Sequence, residues 1–308
     1  MALSTILFSY DVEVCDPARA HITREFLAAA ARVHAEADTP CTMFVCGKTL
    51  EMNDDAFRRL AGDPLYDFQS HTYLHSMVKT AVQWYKGEHV GDPNRAQVLV
   101  YRGASAERLR DEVARTKRLL ADIVGSDNIG LRSPCGCYFG LLDRPELLEM
   151  LWDLGIRYVS TYHHRSEDFE HWDVLPPHPE EIIQPFWYSQ IAQKPGQLPA
   201  GEPPLEDHLP DMLEFPLLGA VVDCTWKDKY GYDAYEQYLN STKVVLDVVA
   251  RENLVLSYVQ HDWSSVKGDP EMAYTQAIIR YAQERGLEIT PHTEFYRRLA
   301  RQRERMTP

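Results

Sequence analysis

Residues 4–13 read Ser4-Thr5-Ile6-Leu7-Phe8-Ser9-Tyr10-Asp11-Val12-Glu13. The part from 4 to 10 has the β-branched and aromatic content of a strand, and the strand ends on two carboxylates in an i, i+2 relation. If the extended conformation persists through them, Asp11 and Glu13 point to the same side. One can then ligate a metal while the other stays free as a base. An isolated pair of this kind is more often two solvated acids in a loop, so its meaning depends on what surrounds it.

Outward from that strand, β-rich runs alternate with amphipathic stretches, the pattern that builds a parallel sheet or barrel through crossover helices. Residues 18–37 place Ile22, Phe26, Leu27, Ala30 and Val33 at helical spacing after Pro17, which suits a first turn. PCTMFVCG predicts a second strand, DDAFRRLAG a short helix and LYDFQSH a third strand running into His71. A strong helix is expected over 105–124, with Ser105 as N-cap and Leu109, Val113, Leu119 and Leu120 on its apolar side. NIGLRSP, RYVSTY, LEFPLLG, NLVLSYVQH and LEIT read as further strands, with helices over RPELLEMLWDLG, YDAYEQYLNSTKVVLDVVARE and EMAYTQAIIRYAQERG. That count suits one closed or nearly closed α/β barrel domain over residues 1–308. Two stretches interrupt it, at about 76–104 and 163–211, and the second crowds together nine prolines from Pro176 to Pro210. Proline at that density continues neither a helix nor a central strand; a loop this long is usually a lid, a binding loop or an oligomer contact.

The totals exclude some classes of function. A net charge of -14 argues against an electrostatically driven nucleic-acid binder. The opening stretch has no basic n-region and is broken by Ser9, Asp11 and Glu13, so it reads as a strand rather than a signal peptide, and nothing approaches the ~20 apolar residues of a membrane span. The six cysteines are scattered without a Cys-x-x-Cys pair, which suggests neither a disulfide framework nor a zinc ribbon. A cytoplasmic protein is the expectation.

Three further motifs carry chemistry. His71 and His75 are four apart, and their imidazoles share one face if the chain after the third strand is helical, as metal chelation requires. Arg132-Ser133-Pro134-Cys135-Gly136 closes another strand and supplies a permanent cation able to orient a carboxylate. His261, with Asp262 and Trp263 after it, ends the late strand. All four motifs therefore fall at the carboxyl ends of expected parallel strands, where α/β barrels build their active sites.

In this order the motifs resemble those of the polysaccharide deacetylases of the NodB-homology type, carbohydrate esterase family four, and the resemblance runs over about residues 4–290. It implies a distorted (β/α) barrel of about seven parallel strands, with the proline-rich stretch as an insertion. The family's Asp-containing first motif is matched by Asp11 and Glu13, its His-(Ser/Thr)-x-x-His motif by His71 through His75, its Arg-x-Pro-x-Gly motif by Arg132 through Gly136, its late histidine by His261 and its penultimate strand by Glu214 before Pro216. Val12 between the two acids is similar to a cytoplasmic subgroup with an Asp-Val-Glu arrangement. Leucine is usual three positions before the late histidine, where this chain has Tyr258, and the family's fourth, Asp-Trp-containing motif has no counterpart assigned.

What the resemblance implies is a hydrolase of C–N bonds other than peptide bonds, acting on an N-acetyl amino sugar or related small amide. Asp11 would be the base, His261 the acid, and Arg132 the group that keeps Asp11 ionised. One divalent metal would be held by Glu13, His71 and His75. Zinc suits these donors, and cobalt, nickel, manganese or iron are compatible with them. Pro134, Gly136, Tyr138, Trp187 and Trp263 are candidates for binding substrate, and Trp84, Tyr85, Trp172 and Trp226 are further aromatics able to stack on a sugar. The expected partner is this small molecule, with a homo-oligomer open and neither nucleic acid nor membrane. A ring-opening cyclic imidase of the allantoinase kind, and a ligand-binding barrel without turnover, are the alternatives.

Overall fold

The computed structural model describes residues 4–87, 92–137, 139–163, 177–192 and 209–306. Tyr138, Trp172 and the prolines 176, 195, 199, 203 and 204 lie outside the described residues, as do the side chains of Trp84 and Tyr85. In chain order the elements are β1 (Thr5–Val12), α1 (Ala20–Ala37), β2 (Cys41–Val45), α2 (Gly47–Met52), α3 (Asp54–Arg58), β3 (Tyr66–Ser70), β4 (Ala81–Gly87), β5 (Asp92–Tyr101), α4 (Ala106–Val124), β6 (Gly130–Cys137), α5 (Pro145–Asp153) and β7 (Tyr158–Tyr162). There follow β8 (Phe186–Trp187), α6 (Tyr188–Ala192), β9 (Leu213–Glu214), α7 (Asp223–Tyr230), α8 (Tyr235–Glu252), β10 (Val255–His261), α9 (Asp262–Val266), α10 (Ala273–Glu284), β11 (Glu288–Ile289) and α11 (His292–Met306).

The main sheet runs β10-β1-β2-β3-β6-β7-β9-β8, with β11 added beside β1. Every pairing along it is parallel except that of β8 with β9, so seven parallel strands form the curved wall, as the resemblance implied. The open side is spanned by Leu217, which makes isolated parallel bridges to His163 beyond β7 and to Ser257 of β10. The fold is thus the distorted barrel of the expectation. Among the described residues no helix is long and apolar enough to cross a membrane.

Why β1 reads as apolar almost throughout follows from its place: all eight residues are buried, because helices cover one face and the barrel interior the other. Ile6, Phe8, Tyr10 and Val12 point outward into a core shared with Phe26 and Val33 of α1, Leu246 and Val249 of α8 and Ile278 of α10. Leu7 points inward, where it joins Phe44, Tyr158, Leu213 and Phe215. Above Leu7 on the same inner side come Ser9 and then Asp11, so the interior passes from apolar to charged along one strand.

The apolar end of the interior is plugged by α11, which the sequence reading did not anticipate. Phe295 enters the Leu7 cluster, Thr293 Oγ1 donates to Asp67 Oδ1 at 2.9 Å, and His292 Nε2 lies 2.9 Å from Ser257 Oγ. The signal was present after Pro291, where Phe295, Tyr296 and Leu299 recur at helical spacing.

The interruptions also acquire structure. Within 76–104, β4 and β5 pair antiparallel as a separate two-stranded sheet. In the described part of 163–211, Phe186 and Trp187 form the short antiparallel edge strand β8, a placement that tolerates the preceding Pro185. Glu214 locks this region. Fully buried, it accepts hydrogen bonds from Thr161 N (2.6 Å), Tyr162 N (2.8 Å), Thr161 Oγ1 (2.7 Å) and Tyr188 Oη (2.6 Å), tying β7, β9 and α6 together.

Candidate active site and metal centre

Parallel registry brings the motifs together. Asp11 of β1 is paired with His261 of β10, His71 follows the last residue of β3, and Ser70 at that end is paired with Leu131, next to Arg132 of β6. Asp11, His71 and His261 lie at the carboxyl ends of their strands, and Arg132, third in β6, is level with the end of β3.

The segment carrying His71 and His75 is not the expected helix. Residues 71–80 form an irregular loop in which Thr72 and His75 have φ of 60° and 58°. The loop is shaped by Glu112 of α4, whose Oε2 accepts from the backbone N–H of Tyr73 (3.1 Å) and Leu74 (3.0 Å) and whose Oε1 accepts from Ser76 Oγ (2.6 Å) and Arg108 Nε (2.8 Å). A buried carboxylate that collects these N–H groups replaces the i→i−4 ladder. The two imidazoles still meet, with ring centroids 5.2 Å apart. Glu112 is a positioning residue that the reading missed, because nothing in the sequence of α4 distinguishes it from a solvated helix acid.

Glu13 is the hub. Its Oε2 lies 2.9 Å from His75 Nε2 and 3.3 Å from His71 Nε2, and its Oε1 accepts from Trp263 Nε1 at 2.9 Å. His71 Nδ1 faces the carbonyl oxygen of Arg132 at 3.1 Å, which fixes the tautomer that turns an Nε2 lone pair toward Glu13. Burial pushes the Glu13 carboxyl up, but the neighbouring histidines, His75 and His261 foremost, outweigh it and hold it well below the usual carboxylate range. The ligand atoms of Glu13, His71 and His75 lie within 4.8 Å of one another. Two imidazoles and one carboxylate, with the far nitrogen of His71 engaged by a backbone carbonyl, form a donor set that fits a divalent metal of the zinc type.

Asp11 stands beside this hub, its ligand atom within 4.8 Å of those of Glu13 and His261. Arg132, fully buried, reaches Asp11 Oδ1 at 3.0 Å and Ser9 Oγ at 2.8 Å through one nitrogen, Ser160 Oγ at 3.2 Å through Nε, and stacks over the Phe44 ring at 4.1 Å. The other oxygen of Asp11 is 3.9 Å from His71 Nε2 and 3.9 Å from His261 Nε2.

His261 is oriented by Asp223, a residue without an assigned role in the sequence. Asp223 Oδ1 lies 2.6 Å from His261 Nδ1, and its Oδ2 accepts from the His261 backbone N–H at 3.2 Å. Burial alone would lower the imidazole pKa, but the neighbouring Cys224, Asp223 and Glu13 raise it well above the ordinary value. Asp223 and Trp226 lie in one turn of α7. An acid and a tryptophan separated by two residues do not read as an Asp-Trp pair, which is why the sequence concealed them.

The remaining candidates divide. Pro134 and Gly136 lie in β6 where its register with β7 shifts between Arg132 and Cys137; Cys135 and Gly136 both take positive φ, 62° and 52°, and a Cβ on Gly136 would stand 2.8 Å from that of His163. Trp263 is at the site, but its N–H is committed to Glu13. Trp187 is a correction: it packs against Tyr296 (centroids 5.9 Å) and under Arg303 in the cluster at the plugged end of the barrel, since β8 is anchored there by its pairing with β9.

Comparison with known proteins agrees with this geometry. The family model described as polysaccharide deacetylase matches residues 5–159, half of the chain, and that span contains Asp11, Glu13, His71, His75 and Arg132. The chain belongs to the polysaccharide deacetylase family. That is a family of hydrolases, and the metal dependence that goes with it has matching donors here. Among solved structures, one assigned as a polysaccharide deacetylase from Pseudomonas aeruginosa PAO1 has a TM-score of 0.65 at 15% identity, covering 97% of this chain and 92% of its own. Another so assigned, from Mycobacterium smegmatis, has a TM-score of 0.64 at 14% identity, covering 98% and 92%. Puue allantoinase has a TM-score of 0.63 at 15% identity, covering 96% and 90%. At these identities the likeness is one of fold. No curated protein matches the chain.

Proposed function

We propose that this chain hydrolyses a C–N amide bond with one divalent metal, removing the acetyl group from an N-acetyl amino sugar or a related small amide. The observation that carries the reading is the position of Asp11 Oδ2, 3.9 Å from His71 Nε2 on the metal-ligand side and 3.9 Å from His261 Nε2 on the other. A base is needed between the metal ligands and the acid, and Asp11 stands there.

Glu13, His71 and His75 would hold the metal, which when bound polarises the amide carbonyl and acidifies water. Asp11 takes the proton of the attacking water. Arg132 holds its Oδ1 through the 3.0 Å ion pair and prevents it from turning away. His261 carries a proton toward the departing nitrogen, because amines leave poorly unless protonated, and Asp223 stabilises the imidazolium by holding Nδ1–H. Backbone N–H groups of the Cys135–Cys137 segment, where two successive positive φ values turn the chain, are the candidates for the developing oxyanion. The net charge of -14 favours a neutral or weakly charged substrate.

The test measures metal content together with acetate and ammonia release from N-acetyl amino sugars and cyclic imides, for wild type and His71→Ala. Near-stoichiometric metal and metal-dependent acetate release, both lost in the variant, are expected. Ring opening without acetate would replace the deacetylase by an imidase, and neither metal nor turnover would leave a binding protein.

A further inference from the structure

Asp223, which orients His261, is followed directly by Cys224, so one turn of α7 delivers a carboxylate and a thiol to the same imidazole. Asp223 Oδ1 is 2.6 Å from His261 Nδ1, and Cys224 Sγ is 3.8 Å from His261 Nε2. Asp223 is fully buried, whereas Cys224 is half-buried beside Leu217, Val222 and Val259. A shielded carboxylate, an imidazole and a half-buried thiol in that order are the parts of an orienter, a base and a nucleophile. The same three side chains bring ligand-type atoms within 4.8 Å of one another. As a metal set they are incomplete, because the bond between Nδ1 and Asp223 already consumes two of the donors.

We propose that Cys224 is a thiol nucleophile of this site, able to accept an acyl group from activated acyl compounds, esters or thioesters with good leaving groups, without a metal. Cys224 Sγ bonds to the acyl carbon while the bond from that carbon to the leaving oxygen or sulfur breaks. The thiol proton passes to His261 Nε2 and from there to the leaving atom. Water, deprotonated by the same imidazole, then cleaves the thioester and returns the free acid and the thiol. Activated acyl groups are the fitting class because no metal polarises the carbonyl on this route. Burial raises the Cys224 thiol and the His261 charge offsets only part of that, so attack is coupled to proton transfer to the imidazole.

The proposal shares its pocket with the deacetylase reading but not its metal, so the two fail separately. Full-length protein is mixed with p-nitrophenyl acetate in the presence of a chelator, nitrophenolate release is followed by stopped flow, and the quenched protein is digested for mass spectrometry. Expected are an acetyl group on Cys224 that hydroxylamine removes, none in Cys224→Ala, and acylation of Cys224 slowed roughly 100-fold in His261→Ala. Ester turnover that disappears in Cys224→Ala, even with no adduct accumulating, counts equally in its favour. Acetylation confined to exposed Cys135 or to other residues, acylation of Cys224 at an unchanged rate in a folded His261→Ala protein, or ester turnover indifferent to Cys224→Ala would each overturn it. Acetate release from amides by metal-loaded enzyme is untouched by any of these outcomes.

Discussion

The indole N–H of Trp263 meets Oε1 of Glu13 at 2.9 Å while the other oxygen of the same carboxylate faces both loop histidines. Glu13 is thereby divided into a held oxygen and a presented one. Trp263→Phe removes the hold and leaves the ring, and a metal ligand that loses its outer hydrogen bond typically loses 10- to 100-fold in affinity. Competition with a chromophoric chelator should show a drop of roughly tenfold or more. Unchanged affinity would mean that the indole contributes only packing.

Asp11→Asn should lower kcat by about 10²- to 10⁴-fold, the usual worth of a positioned base, with the far-ultraviolet circular dichroism preserved. The more telling experiment concerns its partner. Arg132→Met leaves Asp11 buried without its counter-charge, which costs about 3–5 kcal/mol, and urea unfolding should register it. In the double variant Asp11→Asn/Arg132→Met a large part of that loss should return, since no uncompensated charge remains. If both Arg132 proteins are equally unstable, the ion pair is not the source of the cost.

His34 supplies a pH signature far from the chemistry. It is fully buried between Tyr10 Oη (2.8 Å from Nε2) and the carbonyl of Thr39 (2.7 Å from Nδ1), and burial lowers its pKa to about 4. Between that value and the ordinary one near 6.5 the unfolded chain binds the extra proton, so stability present at neutral pH is lost as pH falls through this window. The full depression corresponds to about 3 kcal/mol. His34→Gln should therefore flatten the profile of Tm against pH between about 6.5 and 4 relative to wild type. Parallel profiles would show that the imidazole takes up its proton without opening the fold.

Gly136 takes φ of +52° with the His163 side chain 2.8 Å from where a Cβ would lie. Gly136→Ala adds about 1–2 kcal/mol of backbone strain and must displace His163 or the β6 bulge. Tm and kcat should both fall while metal content stays near that of wild type. Loss of metal instead would indicate that the bulge supports the His71 loop.

The strand ends were legible because parallel strands covered on both faces carry apolar runs that stop where chemistry begins; Asp11 and His261 fell out of that rule, whereas Arg132 sits early in β6, which runs on to Cys137. Glu13, at i+2 from Asp11, followed from alternation alone. The geometry of His71 and His75 was hidden because a spacing of four fits a helix and also fits a loop pinned by Glu112, which is 37 residues distant from His75 in the chain. Asp223 was hidden likewise: its partner is known only once β10 and α7 are packed. Trp187 was misread because an aromatic beside prolines has no address until its strand has paired.

The register of β1 on β10, in which Asp11 lies opposite His261, has an evolutionary corollary. The separation between these two side chains is written into backbone rungs rather than into loop conformation. Loops around the mouth can lengthen, shorten or change composition to admit new molecules without moving either group along the ladder, whereas a slip of one residue between the strands would turn one of them out of the interior altogether. Innovation in this scaffold is therefore free at the rim and forbidden at the rung.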